Sequence, residues 1–246
     1  MPLPNFLIVG ETKCGTTSMY DNLVKHPQIL PSLGNGVQTE ADSEVPLGVK
    51  EIRFFDKHYN RGWDWYQSCF PKCPDGYITG EATPMYLYRT QALIHIAETI
   101  PDCKIIVMLR NPTDRLYSHF NHISANEVDW TDRYHSVMDL FMGAHPKDYH
   151  LIDRGFYIRQ LTALWALFNK NNIHIIISEE MFENPEEEWA NLLEFLNLDY
   201  CDIEFAHSRK KKHDLTKNAY RRDIDRMYAP FNRALEDTLK INNLWR

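Results

Sequence analysis

The amino-acid sequence predicts an α/β fold, a P-loop-like three-layer arrangement in which a central parallel sheet is flanked by helices. Three observations carry that expectation. Short β-rich runs alternate with longer amphipathic stretches along the 246 residues, the rhythm of successive β–α–β units. Two of the runs, 6–9 and 104–109, are almost unbroken apolar sequence, as expected of strands covered on both faces. The first of them passes through a turn with glycines at 10 and 15 into a helical stretch, which brings free backbone N–H groups together at a helix N-terminus.

In chain order, the strand at 6–9 leads to a helix over 17–25. A strand at 77–79 precedes a helix at 91–99, and the strand at 104–109 precedes a helix at 113–124. A helix over 157–168 is followed by a strand at 173–177. The next helix, 186–196, is opened by Asn184-Pro185, a pair suited to a helix start. Residues 219–240 close the chain as helix. Three segments break the rhythm: a polar loop at 31–49, an irregular insertion at 126–150 and a strongly basic stretch at 207–222. The first is long for a loop in a compact domain and suits a lid or a substrate contact. There is no internal repeat, and the length fits a single domain spanning 1–246.

A chain that is 43% hydrophobic and 25% charged can bury a core, which excludes a mainly disordered or collagen-like protein. A formal net charge of -7 argues against nucleic acid or an anionic membrane as a partner. No apolar run approaches the roughly 20 residues needed to span a bilayer. The start of the chain has no basic flank or cleavage site of a signal peptide. The expectation is therefore a cytoplasmic protein, unless the chain is the excised body of a longer one. The five cysteines, at 14, 69, 73, 103 and 201, form no metal-ligand pattern and read as reduced thiols. His119 and His122 stand three apart without an identifiable third ligand, so no metal is expected.

The turn Gly10-Glu-Thr-Lys13-Cys14-Gly15-Thr16-Thr17-Ser18 has the G-x-x-x-x-G outline of a phosphate loop. Thr16 stands where a nucleotide triphosphatase places its lysine, and the lysine lies inside the turn at 13. A lysine after the second glycine serves the β- and γ-phosphates of a triphosphate with Mg²⁺, whereas one early in the turn can reach a group leaving from a 5′-phosphate. The alternative is a helix start with threonine caps and a solvent-facing lysine.

These residues resemble a known family. Phe6-Leu-Ile-Val-Gly-x-x-Lys13-x-Gly15-Thr16-Thr17 is similar to the 5′-phosphosulfate loop of sulfotransferases that use 3′-phosphoadenosine 5′-phosphosulfate (PAPS). Ile105-Ile-Val-Met-Leu-Arg110-Asn-Pro112-x-Asp-Arg115-x-Tyr-Ser118 is similar to that family's 3′-phosphate strand, loop and helix. Lys50-Glu51-Ile-Arg-Phe54-Phe55-Asp, Gly62-Trp63-Asp64-Trp65-Tyr66 and Gly80-Glu81-Ala-Thr83-Pro84-x-Tyr86 resemble the carbohydrate branch, which includes the heparan sulfate N- and 3-O-sulfotransferases. So does the closing Tyr228-x-Pro230-Phe-Asn232-x-x-Leu235.

The resemblance implies PAPS as donor, adenosine 3′,5′-bisphosphate as product and no required metal. Lys13 then meets the bridging or 5′-phosphate oxygens, with Cys14, Gly15, Thr16, Thr17 and Ser18 completing the cradle. A cation there lowers the barrier because charge grows on the departing phosphate. Arg110 and Ser118 take the 3′-phosphate, to which an arginine offers two parallel charge-assisted bonds; a pairing of Arg110 with Asp114 is the alternative. Glu51 is the general base for the acceptor hydroxyl or amine and Glu81 the second candidate, orienting the acceptor or tying loops together. Asp56 reads as a turn or cap residue. Lys50 contacts the sulfonate or biases the ionisation of Glu51, or lies solvated on the surface. Trp63, Trp65, Tyr66 and Tyr86 form a wall for sugar rings, with helical packing as the alternative for Trp65. Tyr157 lies near nucleotide or acceptor, or packs in the core. Lys211, Lys212 and Lys217 are candidates for a basic loop over the 3′-phosphate; the Lys-Gly-Arg element and the paired cysteines found in relatives are absent.

The expected partner is an acceptor glycan or a small molecule. A kinase or nucleotide hydrolase would need the lysine after Gly15, and an α/β-hydrolase a G-x-S-x-G elbow, which the chain lacks. A non-catalytic nucleotide-binding module of the same fold remains the other class.

Overall fold

The computed structural model describes residues 2–34, 50–126, 150–205 and 220–245. The chain forms two compact units, Met1–Leu109 with Thr162–Arg209, and Arg110–Leu161 with Lys210–Arg246. Most of the expected loop at 31–49, of the insertion at 126–150 and of the basic stretch, including Lys211, Lys212 and Lys217, falls outside the described residues.

The first unit is built on the expected parallel sheet. Its strands are β1 (Phe6–Gly10), β2 (Ile29–Leu30), β3 (Ile78–Ala82), β4 (Lys104–Leu109) and β5 (Ile173–Ile177), in the spatial order β2-β3-β1-β4-β5. Every pairing is parallel. β1 is the central strand, and all five of its residues are buried. One of its faces, Phe6 and Ile8 with Ile106, Met108 and Ile176, packs against Met19, Tyr20 and Leu23 of helix α1 (Thr16–Leu23) and against Trp189, Leu192 and Leu196 further along the chain. The alternate residues Leu7, Val9, Ile105, Val107 and Leu109 have no exposed surface, so the apolar runs do reflect strands covered on both sides.

Gly80 allows β1 and β3 to lie this close. A Cβ there would stand 2.4 Å from the carbonyl oxygen of Phe6, so the β1–β3 ladder admits no side chain at that point. The strand extends past the expected 77–79 to include Glu81 and Ala82, because sheet pairing, Leu7 with Glu81 and Ile8 with Ala82, overrides the polar sequence. Helix α2 (Trp63–Ser68) follows a π-turn at Phe54–His58 and a 3₁₀ turn at Tyr59–Arg61. α3 (Thr90–Thr99) leads into β4.

The second unit begins one residue after β4. Helix α4 (Pro112–Asn126) starts behind Asn111, whose Oδ1 accepts from the N–H groups of Thr113 (3.0 Å) and Asp114 (3.1 Å), a side-chain cap of the usual kind. Helix α5 (Tyr157–Leu167) crosses from the second unit back into the first. Two helices of the first unit follow β5: α6 (Ser178–Glu183), which the sequence reading did not separate, and α7 (Pro185–Leu196). The last helix, α8 (Arg221–Leu239), returns to the second unit. There, Leu116, Tyr117 and Phe120 of α4 form a core with Phe156, Ile224 and Tyr228. Gly155 admits the Tyr228 ring, which a Cβ would meet at 2.6 Å. Among the described residues no helix is long and apolar enough to cross a membrane.

Candidate active site

In the first unit, the chain leaves the carboxyl end of β1 toward β2 on one side, while β4 beside it leads toward β5 on the other. The carboxyl ends of two adjacent strands whose connections diverge form the usual ligand crevice of an open α/β sheet. The turn 11–15 lies at that point. It is anchored by Glu11 N–H donating to Met108 O (2.7 Å). Lys13 and Gly15 both adopt left-handed backbone conformations, φ 72° and 86°, which glycine tolerates and lysine seldom adopts.

The first backbone bond into α1 runs from Met19 N–H to Gly15 O (3.0 Å). The N–H groups of Thr16, Thr17 and Ser18 therefore precede the intrahelical ladder, and Gly15 supplies no capping side chain. This is a donor set suited to an anion. Thr16 and Cys14 are buried, Lys13 and Ser18 half-buried, and Thr17 is exposed. Sequence reasoning missed Ser178. Its buried hydroxyl, at the head of α6, lies 2.7 Å from Cys14 O and 2.8 Å from Leu109 O, so it ties the turn to the end of β4. Nothing local marks this serine, since its partners are about 70 and 160 residues away.

On the other side of β1, the segment 50–53 docks on the end of β3. Ala82 N–H donates to Lys50 O (3.0 Å) and Arg53 N–H to Thr83 Oγ1 (3.2 Å). Glu51 is half-exposed, with Lys50 Nζ donating to its Oε1 at 2.7 Å. Arg53, at φ 58°, is held by its side-chain pairing with Asp56; the Nε–Oδ1 distance is 3.2 Å. Asp56 therefore serves as an ion-pair partner at the start of the π-turn.

Glu81 differs from the expectation of a second base. It has no exposed surface. Its Oε1 accepts from Tyr66 OH (2.9 Å) and Tyr86 OH (3.0 Å), its Oε2 from Thr83 OH (2.6 Å) and Ile52 N–H (3.2 Å). A carboxylate enclosed this way ties segments together and is not placed to take a proton from an acceptor. Burial pushes its pKa up to about 7, against the four hydrogen bonds, which favour the charged form.

The aromatic wall divides in the same way. Tyr66 and Tyr86 are fully buried, so the expectation that Tyr86 meets a sugar is corrected: its ring has no free face. Trp63 and Trp65 are half-buried. Phe54 stacks on Tyr66 at 4.4 Å and lies 6.2 Å from Trp63, while the Arg61 guanidinium covers Trp65 at 4.6 Å.

In the second unit, Arg110 and Ser118 are half-buried. Tyr157 is buried, and its hydroxyl donates to Arg110 O at 2.9 Å, which fixes the backbone at Arg110. Asp114, the alternative partner considered for Arg110, forms an ion pair with Arg221 at 2.6 Å. Among the described residues no three His, Cys, Asp or Glu side chains are grouped to hold a metal ion.

A parallel sheet with a glycine turn and a helix N-terminus at its central strand defines a P-loop-like α/β protein, and the displaced lysine separates it from the triphosphatases. Comparison with known proteins narrows this class. The family model described as "Sulfotransferase domain" matches residues 3–233; the chain belongs to the sulfotransferase domain family, a family of transferases. It is 26% identical over 269 aligned residues to the bifunctional heparan sulfate N-deacetylase/N-sulfotransferase 1 of Caenorhabditis elegans, covering 98% of this chain and 30% of that protein. It is 31% identical over 199 residues to human heparan sulfate glucosamine 3-O-sulfotransferase 6, covering 79% of this chain and 52% of that protein. The chain thus spans about a third to a half of these curated relatives. The crystal structure of a sulfotransferase from Alicyclobacillus acidocaldarius shares the fold, with a TM-score of 0.71, 24% identity and coverage of 98% and 97% of the two chains.

Proposed function

We propose that the protein transfers the sulfuryl group of PAPS to a sugar hydroxyl or amine. The observation that carries this reading is the placement of two elements on neighbouring strand ends of one sheet: the glycine turn and helix start after β1, and the Glu51 segment docked on β3. The heparan sulfate relatives support a glycan acceptor, and the family implies the PAPS donor.

PAPS supplies an activated sulfuryl group on a 5′-phosphate. Lys13 and the N–H groups of Thr16, Thr17 and Ser18 stabilise the charge that develops on that phosphate as its bond to sulfur breaks. Glu51 takes the proton of the acceptor as the new bond to sulfur forms. Lys50, bonded to Oε1, leaves Oε2 as the oxygen for that proton. Arg110 and Ser118 are assigned to the 3′-phosphate, with Tyr157 holding the Arg110 carbonyl.

The test is a screen with labelled PAPS across acceptor classes. Sulfation of N-desulfated heparan oligosaccharides supports the reading. The net charge of -7 disfavours a polyanionic glycan and gives a second reading, a neutral saccharide or small alcohol, which the same screen distinguishes. Adenosine 3′,5′-bisphosphate should raise the melting temperature without Mg²⁺, by RT ln(1 + [L]/Kd) in free energy; no shift at saturation refutes the nucleotide assignment. Glu51→Gln should lower kcat by about 10²-fold or more while nucleotide binding persists.

A further inference from the structure

Glu81 gathers its four donors from separate parts of the chain: Tyr66 from α2, Thr83 and Tyr86 from the turn after β3, and the Ile52 N–H from the docked segment. None of these four groups carries a positive charge. The three hydroxyls can rotate to donate or accept, but a peptide N–H can only donate. Glu81 Oε2 therefore meets Ile52 only as an acceptor, and it accepts more strongly in a carboxylate than in an acid whose proton sits on Oε1 against a tyrosine hydroxyl. Ile52 is itself buried, so water does not replace a lost partner there. The links Ala82 N–H to Lys50 O, Ile52 N–H to Glu81 and Arg53 N–H to Thr83 hold the backbone on both sides of Glu51, and Thr83 is in turn bonded to Glu81.

We propose that Glu81 is a positioning residue: it fixes the Ile52 peptide, and through it the place of the Glu51 side chain, most firmly as a carboxylate, so that Glu51 works best while Glu81 is ionised. This rests on the base role given to Glu51 above. The titratable groups around Glu81 are Tyr66 and Tyr86, bonded to it, and Tyr20, Cys69 and Cys103, which feel its charge; the Lys50–Glu51 ion pair lies on the docked segment itself. Burial raises the pKa of each of these phenols and thiols, so they stay neutral near pH 7. Glu81 is the member of the buried cluster whose charge changes there.

The test follows the Ile52 amide by NMR in ¹⁵N-isoleucine-labelled protein, with its signal assigned by its loss in Ile52→Val. In the wild-type protein the amide proton should titrate with a midpoint within about a unit of 7, and in Glu81→Gln it should be flat. Tyr86→Phe, which removes one donor to the charged form, should move the midpoint upward and serves if Glu81→Gln does not fold. Glu81→Gln should bind adenosine 3′,5′-bisphosphate as the wild type does, yet transfer label from PAPS to N-desulfated heparan oligosaccharide with kcat reduced by about 10²-fold. Its rate should also lose the acid limb near pH 7.

A wild-type Ile52 amide that does not respond between pH 5 and 9, or Glu81→Gln with the wild-type kcat and pH profile, overturns the proposal. The amide titration needs no acceptor, so the two readings fail separately. A fully active Glu51→Gln protein overturns the base assignment and the role derived from it, whereas an inactive one with an unresponsive Ile52 amide overturns only the role of Glu81.

Discussion

Replacing Glu81 by Gln should change how stability depends on pH, with a sign set by the competition inside the buried cluster. Burial acts first and raises the carboxyl pKa; bonds from Thr83, Tyr66, Tyr86 and Ile52 oppose it, and the net result is a rise from 4.5 to about 7. In the unfolded chain a glutamate titrates near its ordinary value. Between roughly pH 4.5 and 7 the native protein therefore holds a proton that the unfolded chain has lost, and native stability falls as pH rises through this window. The rise, at about 1.4 kcal/mol per pH unit, corresponds to about 3 kcal/mol. Urea unfolding of both proteins from pH 5 to 9, followed by tryptophan fluorescence and far-UV circular dichroism, gives the difference of wild type minus Glu81→Gln. That difference should shrink by up to about 3 kcal/mol on going to high pH, with most of the change below pH 8. A flat difference, or one that grows with pH, would refute the reasoning, because it would mean that the four donors outweigh desolvation and hold the carboxyl at or below its ordinary range.

Three further outcomes follow from the same geometry. Ser178→Ala removes a buried hydroxyl shared between Cys14 O and Leu109 O and should cost about 1–2 kcal/mol in urea unfolding, with weaker binding of adenosine 3′,5′-bisphosphate by calorimetry. Gly80→Ala places a Cβ against the Phe6 carbonyl and should destabilise by about 1–3 kcal/mol or more, visible as a lower urea midpoint. Lys13→Ala should lower kcat by about 10²–10³-fold, while the melting temperature of the half-buried site changes little; wild-type turnover would remove lysine from the mechanism.

Much of this molecule is legible in its sequence. The apolar runs at 6–9 and 104–109 became β1 and β4, because continuous hydrophobicity reports burial on both faces without reference to distant residues. The turn at Gly15 was legible for a similar reason: a left-handed backbone and a helix start are local demands. β3 was read too short, since Thr79 and Glu81 look like surface residues until strand pairing buries them. The two-residue β2 carries too little pattern to be seen, and the π-turn at 54–58 depends on the left-handed Arg53 before it.

The sequence alone determined the main alternation of strands and helices, the glycine turn that holds Lys13, and the resemblance that proposes Glu51 as a site residue, because these depend on neighbours in the chain. Only the tertiary structure decided that Glu81 is enclosed and Glu51 is not, that Tyr86 faces a carboxylate and not a sugar, and that Ser178 holds the turn. Two carboxylates in similar polar sequence were separated by which donors the sheet register and the packed loops brought to each, and that assembly is encoded in no single stretch of chain.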